Sequence, residues 1–169
     1  EAAKLLVSAK KPMVYSGGGV ILGNAHKELT TLVKTLGYPV TNTLMGLGGY
    51  PATDNQFLGM LGMHGTYEAN MAMHDCDILF AVGARFDDRV TGDTSKFCPS
   101  AKIIHIDVDP SSISKIIEVD LSLVGETSNI LKDLNKAVKP HLKKINKSAL
   151  KKWWTQIDKW RTKKCLSYK

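Results

Sequence analysis

Eight consecutive residues, Gly83-Ala84-Arg85-Phe86-Asp87-Asp88-Arg89-Val90, put four charges directly after the apolar run Ile78-Leu-Phe-Ala-Val82. Arginine is planar and always charged, so two of them can clamp a phosphate or carboxylate as forks. Glycine lets the backbone approach a ligand, and the two aspartates can hold the arginines or accept ligand hydroxyls. In an open α/β sheet, ligands bind beyond the carboxyl ends of the strands, which is where this octet would lie. The competing reading is a solvated loop with ordinary surface ion pairs.

Other residues suited to binding also follow apolar runs. Gly17-Gly18-Gly19 comes after Met13-Val14-Tyr15-Ser16, and its N–H groups could meet an anion at a helix start. It fits neither common phosphate fingerprint. The last glycine of G-x-G-x-x-G would fall on Leu22, and Asn24-Ala25 stands where a phosphate loop needs Lys-Ser/Thr. Thr43-Leu-Met-Gly-Leu-Gly-Gly49 and Leu58-Gly-Met-Leu-Gly-Met-His-Gly-Thr66 are rich in glycine and methionine, a composition suited to a flat, partly apolar ligand. Within them His64 could donate a hydrogen bond, whereas His74 and His105 read as structural. Asp107 ends an apolar run where a dinucleotide fold keeps an acid for a ribose hydroxyl, and Asp109-Pro110-Ser111-Ser112 reads as a helix cap. Gly125-Glu126 is a further rim candidate. No nucleophile elbow, metal triad or paired acids accompany these loops, so the residues bind rather than react.

The elements that must position them alternate. The apolar spacing predicts helices over residues 2–9, 26–36, 67–74 and 127–138, and strands over 13–15, 39–43, 78–82, 102–106 and 121–124. Nearly continuous apolar strands alternating with helices predict a sheet buried on both faces. The expected fold is α/β, a three-layer α/β/α Rossmann-like domain with a parallel sheet of about six strands.

Composition limits the function classes. With 169 residues and 43% apolar content, one full core is available, and no run approaches a membrane span of about 18 residues. The three cysteines lack metal or redox spacing, which points to a reducing cytoplasm. The formal net charge of +7 is unevenly spread: residues 1–138 hold 12 Lys/Arg against 15 Asp/Glu, and residues 139–169 hold 11 against Asp158 alone. The basic segment also holds all three tryptophans. Leu150, Trp153, Ile157 and Trp160 recur at helical spacing, predicting an amphipathic helix from about 148 to 162. Lysines between tryptophans could alternatively form a nucleic-acid patch, with bases stacked on indole. The opening at Glu1 within a helical pattern reads as an excised piece of a larger protein.

Taken in order, Ser16-Gly-Gly-Gly19, Thr43-Leu-Met-Gly-Leu-Gly48, Leu61-Gly-Met-His-Gly65, Gly83-Ala-Arg-Phe-Asp-Asp-Arg-Val-Thr-Gly92 and Ile104-His-Ile-Asp-Val-Asp-Pro110 resemble the central, FAD-binding domain of acetolactate synthase. This is the catalytic large subunit of a thiamine-diphosphate enzyme, also called acetohydroxyacid synthase, and the resemblance covers nearly the whole chain. It implies a bacterial, cytoplasmic carboligase that condenses pyruvate with pyruvate or 2-oxobutyrate in branched-chain amino-acid biosynthesis. By the resemblance, Gly17, Gly18 and Gly19 line the FAD diphosphate and ribityl region, and Thr43, Leu44, Leu61, Gly62, Met63 and His64 lie along the flavin. Gly83, Ala84, Arg85, Asp87, Arg89 and Val90 hold more of the cofactor, and Asp107, Val108, Gly125 and Glu126 approach its adenosine end. Met63, Asp88 and Arg89 border the substrate channel, where herbicides bind.

The family's activating glutamate and its Gly-Asp-Gly…Asn thiamine-diphosphate and Mg2+ motif have no counterpart here. The expectation is therefore a domain comprising residues 1–138, followed by a basic Trp-containing helix and linker over 139–169 whose apolar stripe is exposed. This piece would bind FAD, form no acetolactate alone, and depend on flanking domains in a homodimer or homotetramer with a small regulatory subunit. The alternatives are a glyoxylate carboligase or pyruvate oxidase domain, or a free-standing, sirtuin-like nucleotide-binding module.

Overall fold

The computed structural model describes residues 1–167. The chain runs α1 (Ala2–Ser8), β1 (Pro12–Ser16), α2 (Gly18–Leu22), α3 (His26–Leu36), β2 (Val40–Asn42) and β3 (Phe57–Met60). It continues through α4 (Tyr67–Asp75), β4 (Ile78–Val82), α5 (Asp88–Thr91), β5 (Lys102–Asp107), β6 (Leu121–Val124), α6 (Thr127–Val138) and α7 (Lys147–Arg161). The strands form one sheet in the order β3-β2-β1-β4-β5-β6, parallel throughout. The expected three-layer parallel fold is what forms.

Side-chain alternation divides the interior into two cores. Val14 and Phe80 face Val20, Leu29, Leu32, Val33 and Leu131, whereas Met13, Tyr15 and Leu79 face Met73, Trp153 and Ile157. The central strands β1 and β4 are therefore buried at every position, and the edge strand β6 alternates between half-buried and exposed. That contrast is why the central strands read as solid apolar runs. In α3 the apolar residues Leu29, Leu32, Val33 and Leu36 share one face, and Gly37 ends the helix in the left-handed region at φ 72°, its N–H donating to the Val33 carbonyl.

Three expectations change. Strand β3 lies partly within the presumed loop 58–66. It is a four-residue edge strand containing Gly59 at φ 89°, too short and too broken to show a period. It is held because Val40 N–H donates to the Gln56 carbonyl at 2.8 Å and Thr41 Oγ1 to the Gly59 carbonyl at 2.8 Å. The triple glycine is not a free loop, since Gly18 and Gly19 already belong to α2.

The tail's apolar stripe is covered rather than exposed: Trp153, Ile157 and Trp160 are buried in the second core, beside Met73 of α4. Trp153 Nε1–H donates to the Pro12 carbonyl at 2.9 Å, and Trp154 Nε1–H to the Gly37 carbonyl at 2.9 Å. Trp153 and Trp160 meet edge to face at 5.6 Å and 88°. The rings of Trp153 and Trp160 are buried against protein, so neither offers a free face for base stacking. Among the described residues no helix is long and apolar enough to cross a membrane.

Candidate functional site

The strand order reverses at β1, because β2 and β3 extend the sheet one way and β4 joins β1 from the other side. Such a switch point opens a crevice at the carboxyl edge, between loops that diverge. Ser16-Gly17 and Val82-Gly83 lie directly at it.

Backbone contacts knit the loops into a floor. Gly17 N–H donates to the Val82 carbonyl at 2.9 Å, Gly19 N–H to the Gly83 carbonyl at 3.0 Å, and Gly83 N–H to the Ile106 carbonyl at 2.8 Å. Thr43 N–H reaches the Ser16 carbonyl at 2.9 Å, and Gly125 N–H the Asp107 carbonyl at 3.0 Å. The glycines are required by this approach of loop to loop. A Cβ on Gly17 would lie 2.2 Å from the Gly83 carbonyl oxygen, and one on Gly19 would lie 2.7 Å from Gly83 Cα. The N–H groups of Gly17 and Gly19 are thus spent inside the fold, contrary to the picture of bare donors awaiting an anion.

Loops after β2 and β3 form the apolar end. Thr43 Oγ1 accepts from Gly46 N–H at 2.9 Å and caps a 3₁₀ turn that leaves Leu44 and Met45 exposed. Gly62, at φ 91°, packs on the Arg89 carbonyl, and Met63 N–H donates to that same carbonyl at 3.1 Å. Met63 and His64 stand in solvent beyond it, while Leu61 is buried and faces the core. Asn70, on the first turns of α4, clamps Gly62 from both sides: Oδ1 accepts its N–H at 2.9 Å and Nδ2 donates to its carbonyl at 3.0 Å. No motif in the sequence points to Asn70. Its one signal is an asparagine within a helix, where its side chain competes for backbone partners.

The charged octet is pinned from below. Ala84 and Phe86 are buried, and Phe86 adopts φ 58°, which turns Arg85 and Asp87 outward on either side of it. Arg85 pairs with Asp87 at 3.1 Å and Arg89 with Asp88 at 2.7 Å, all four side chains being largely exposed. Exposed pairs of this kind are weak, so the guanidinium groups can change partners when an anion arrives. Val90 is half-buried beside Gly62.

At the far end Asp107 is nearly buried. Its Oδ1 accepts Asp109 N–H at 2.9 Å and its Oδ2 lies 3.7 Å from His105 Nε2, leaving limited capacity for a ligand hydroxyl. Asp109 does cap the following turn: its carboxylate accepts from Ser111 N–H at 2.9 Å and Ser111 Oγ at 2.8 Å, and these bonds hold it below the usual carboxylate range. Val108 is exposed, Gly125 has φ 148°, and Glu126 stands at the start of α6 without a side-chain cap. Among the described residues no cluster of His, Cys, Asp or Glu is placed to hold a metal.

Beneath the crevice, Ser16 Oγ and both amide atoms of Asn42 are buried without a hydrogen-bond partner. His105 is fully buried, and its Nε2 lies 2.8 Å from the Ala84 carbonyl, which fixes the proton on Nε2. Burial pulls its pKa below the ordinary 6.5, although the Ala84 carbonyl and Asp107 push it upward. A proton therefore binds the unfolded chain first. The stability that neutral His105 contributes is complete above about pH 6.5 and is lost as pH falls below it. Urea midpoints should decline between pH 7 and about pH 5 more steeply for the native chain than for His105→Gln. Equal slopes would contradict this.

A glycine floor, an apolar rim and two arginines meet at the switch point of a Rossmann-like α/β/α domain. Residues 1–134 match the family described as "Thiamine pyrophosphate enzyme, central domain", and the chain belongs to that family. Its relatives include acetolactate synthase large subunits. It is 48% identical over 167 residues to the acetolactate synthase isozyme 3 large subunit of Escherichia coli (strain K12), covering 99% of this chain and 29% of that protein. The large subunit of Haemophilus influenzae is 48% identical over 168 residues, with the same two shares of 99% and 29%. The probable large subunit of Methanocaldococcus jannaschii is 49% identical over 134 residues, 79% of this chain and 23% of that protein. The chain thus spans under a third of the length of these relatives.

Proposed function

We propose that this chain is the FAD-holding central domain of an acetolactate synthase large subunit, an enzyme that condenses pyruvate with pyruvate or 2-oxobutyrate in branched-chain amino-acid synthesis. One observation carries the reading: the order of the loops along the sheet edge. Loops after β3 and β2 carry the residues expected at the flavin, the loop after β1 those expected at the diphosphate and ribityl region, the loop after β4 those expected to hold more of the cofactor, and the loops after β5 and β6 those expected at the adenosine. Scattered in sequence, they fall in the order of the parts of one extended dinucleotide. Five inter-strand spacings span about 24 Å.

The residues fit the group. Leu44, Met45 and Met63 offer apolar surface for a flat ring, and Arg85 and Arg89 offer forks for a diphosphate at the switch point. The unpartnered Ser16 hydroxyl and Asn42 amide lie under the loops that would carry it. Of the expected contacts, Leu61 and Ala84 act from the core as supports, and Gly17 and Gly19 as floor. Met63, Asp88 and Arg89 would border the substrate channel. Thiamine diphosphate with Mg2+, held by other parts of the parent, supplies the decarboxylating and carbon-joining chemistry.

In this reading residues 1–138 are the family domain and 139–169 the basic helix and linker toward the rest of a parent that assembles as a homodimer or homotetramer with a small regulatory subunit; α7 of that segment packs on the domain. Location in the bacterial cytoplasm agrees with three free cysteines. Titration of the chain with FAD, followed by flavin fluorescence, tests the site. Arg85→Ala should weaken saturable binding about ten- to a hundredfold, the loss expected for one charge-assisted contact. Absence of FAD binding by both this chain and its full-length parent would overturn the reading.

A further inference from the structure

We propose that His105 is a positioning residue: its imidazole sets the Arg85–Asp88 loop so that the Arg85 guanidinium faces the anionic part of the cofactor. The inference rests on the cofactor-site reading above. His105 lies on β5, in register with Ala81 of β4, and reaches under the loop that leaves β4. It grips that loop at two nearby points. Nε2–H donates to the Ala84 carbonyl at 2.8 Å, and the Phe86 ring meets the imidazole edge to face at 5.0 Å and 77°. Arg85 stands between these two points and Asp87 immediately after them, so their directions follow from where Ala84 and Phe86 are held.

Alternatives to a positioning role explain the residue less well. Tyr15 and Phe97 also contact Phe86, at 5.7 and 5.9 Å, so an apolar side chain at 105 would complete the aromatic cluster. An imidazole instead leaves Nδ1 buried without a partner, a cost that packing alone does not call for. What the imidazole adds is one directed N–H, aimed at the carbonyl from which the Arg85 backbone departs. The same Nε2 lies 3.7 Å from Asp107 Oδ2, so one ring lies against both the loop that bears Arg85 and the strand end expected at the adenosine.

Two readouts on His105→Phe and His105→Gln, each compared with the native chain, test this. In His105→Phe, amide hydrogen exchange over residues 84–91 should rise about tenfold or more while β1 and β4 stay protected, and FAD binding should weaken by a similar factor. His105→Gln, which can offer an amide N–H to the Ala84 carbonyl, should recover both. Unchanged exchange at 84–91 in the Phe variant would overturn the proposal, as would an equal rise across the whole sheet or a failure of Gln to recover either readout. If the native chain and its parent bind no FAD, the cofactor reading falls, and the exchange data still decide whether His105 holds the loop.

Discussion

Gly83→Ala is expected to destabilise the chain by about 2–5 kcal/mol, combining the cost of a left-handed non-glycine residue with that of an overpacked contact. Gly83 has φ 58°, and a Cβ there would lie 2.6 Å from Gly19 Cα and 2.9 Å from Gly19 C, both backbone atoms that no rotamer change can move. The two loops would have to part, and with them the bonds that tie β1 to β4 beyond the last ladder pair. Because total stability is about 5–15 kcal/mol, this one methyl would remove a large share of it. Gly48→Ala is the matched control: its φ of 90° is also unfavourable, but a Cβ there meets nothing within 4 Å. It should cost only about 1–2 kcal/mol. Urea denaturation of both variants checks the difference, and equal losses would show that conformational freedom, rather than contact between loops, explains Gly83.

Trp153→Ala is expected to cost about 3–5 kcal/mol, the range for deleting a large buried aromatic. The side chain is 2% exposed, holds the Pro12 carbonyl and packs on Trp160, so truncation leaves both a cavity and a stranded acceptor at the start of the central strand. Trp153→Phe, which keeps most of the volume and loses the donor, should cost about 1–3 kcal/mol. The neighbouring exposed Lys152→Ala should stay within about 0.5 kcal/mol. If Trp153→Ala unfolded at the same denaturant concentration as Lys152→Ala, α7 would be an appendage and not part of the second core.

Periodicity and residue type determined a good deal without coordinates. Five of the six strands, the parallel sheet and the helices over 26–36, 67–74 and 127–138 follow from patterns local to each segment, and local patterns survive in one dimension. Gly37 as a helix stop and Asp109 as a cap are equally local. The order of the glycine loops and the charged octet was enough to suggest the family.

Tertiary structure alone decided the rest, because it depends on which distant segments meet. Nothing near Gly17 in the chain indicates that its missing side chain makes room for Gly83, or that its N–H is already taken by Val82. β3 has no readable period and exists because β2 offers it an edge. The tryptophan stripe announces a helix with an apolar face, yet only the packed fold supplies α4 and the Pro12 carbonyl to cover it. His105 looks structural from sequence, and so it is; that it grips the loop bearing Arg85 depends on strand register, which places β5 beside β4.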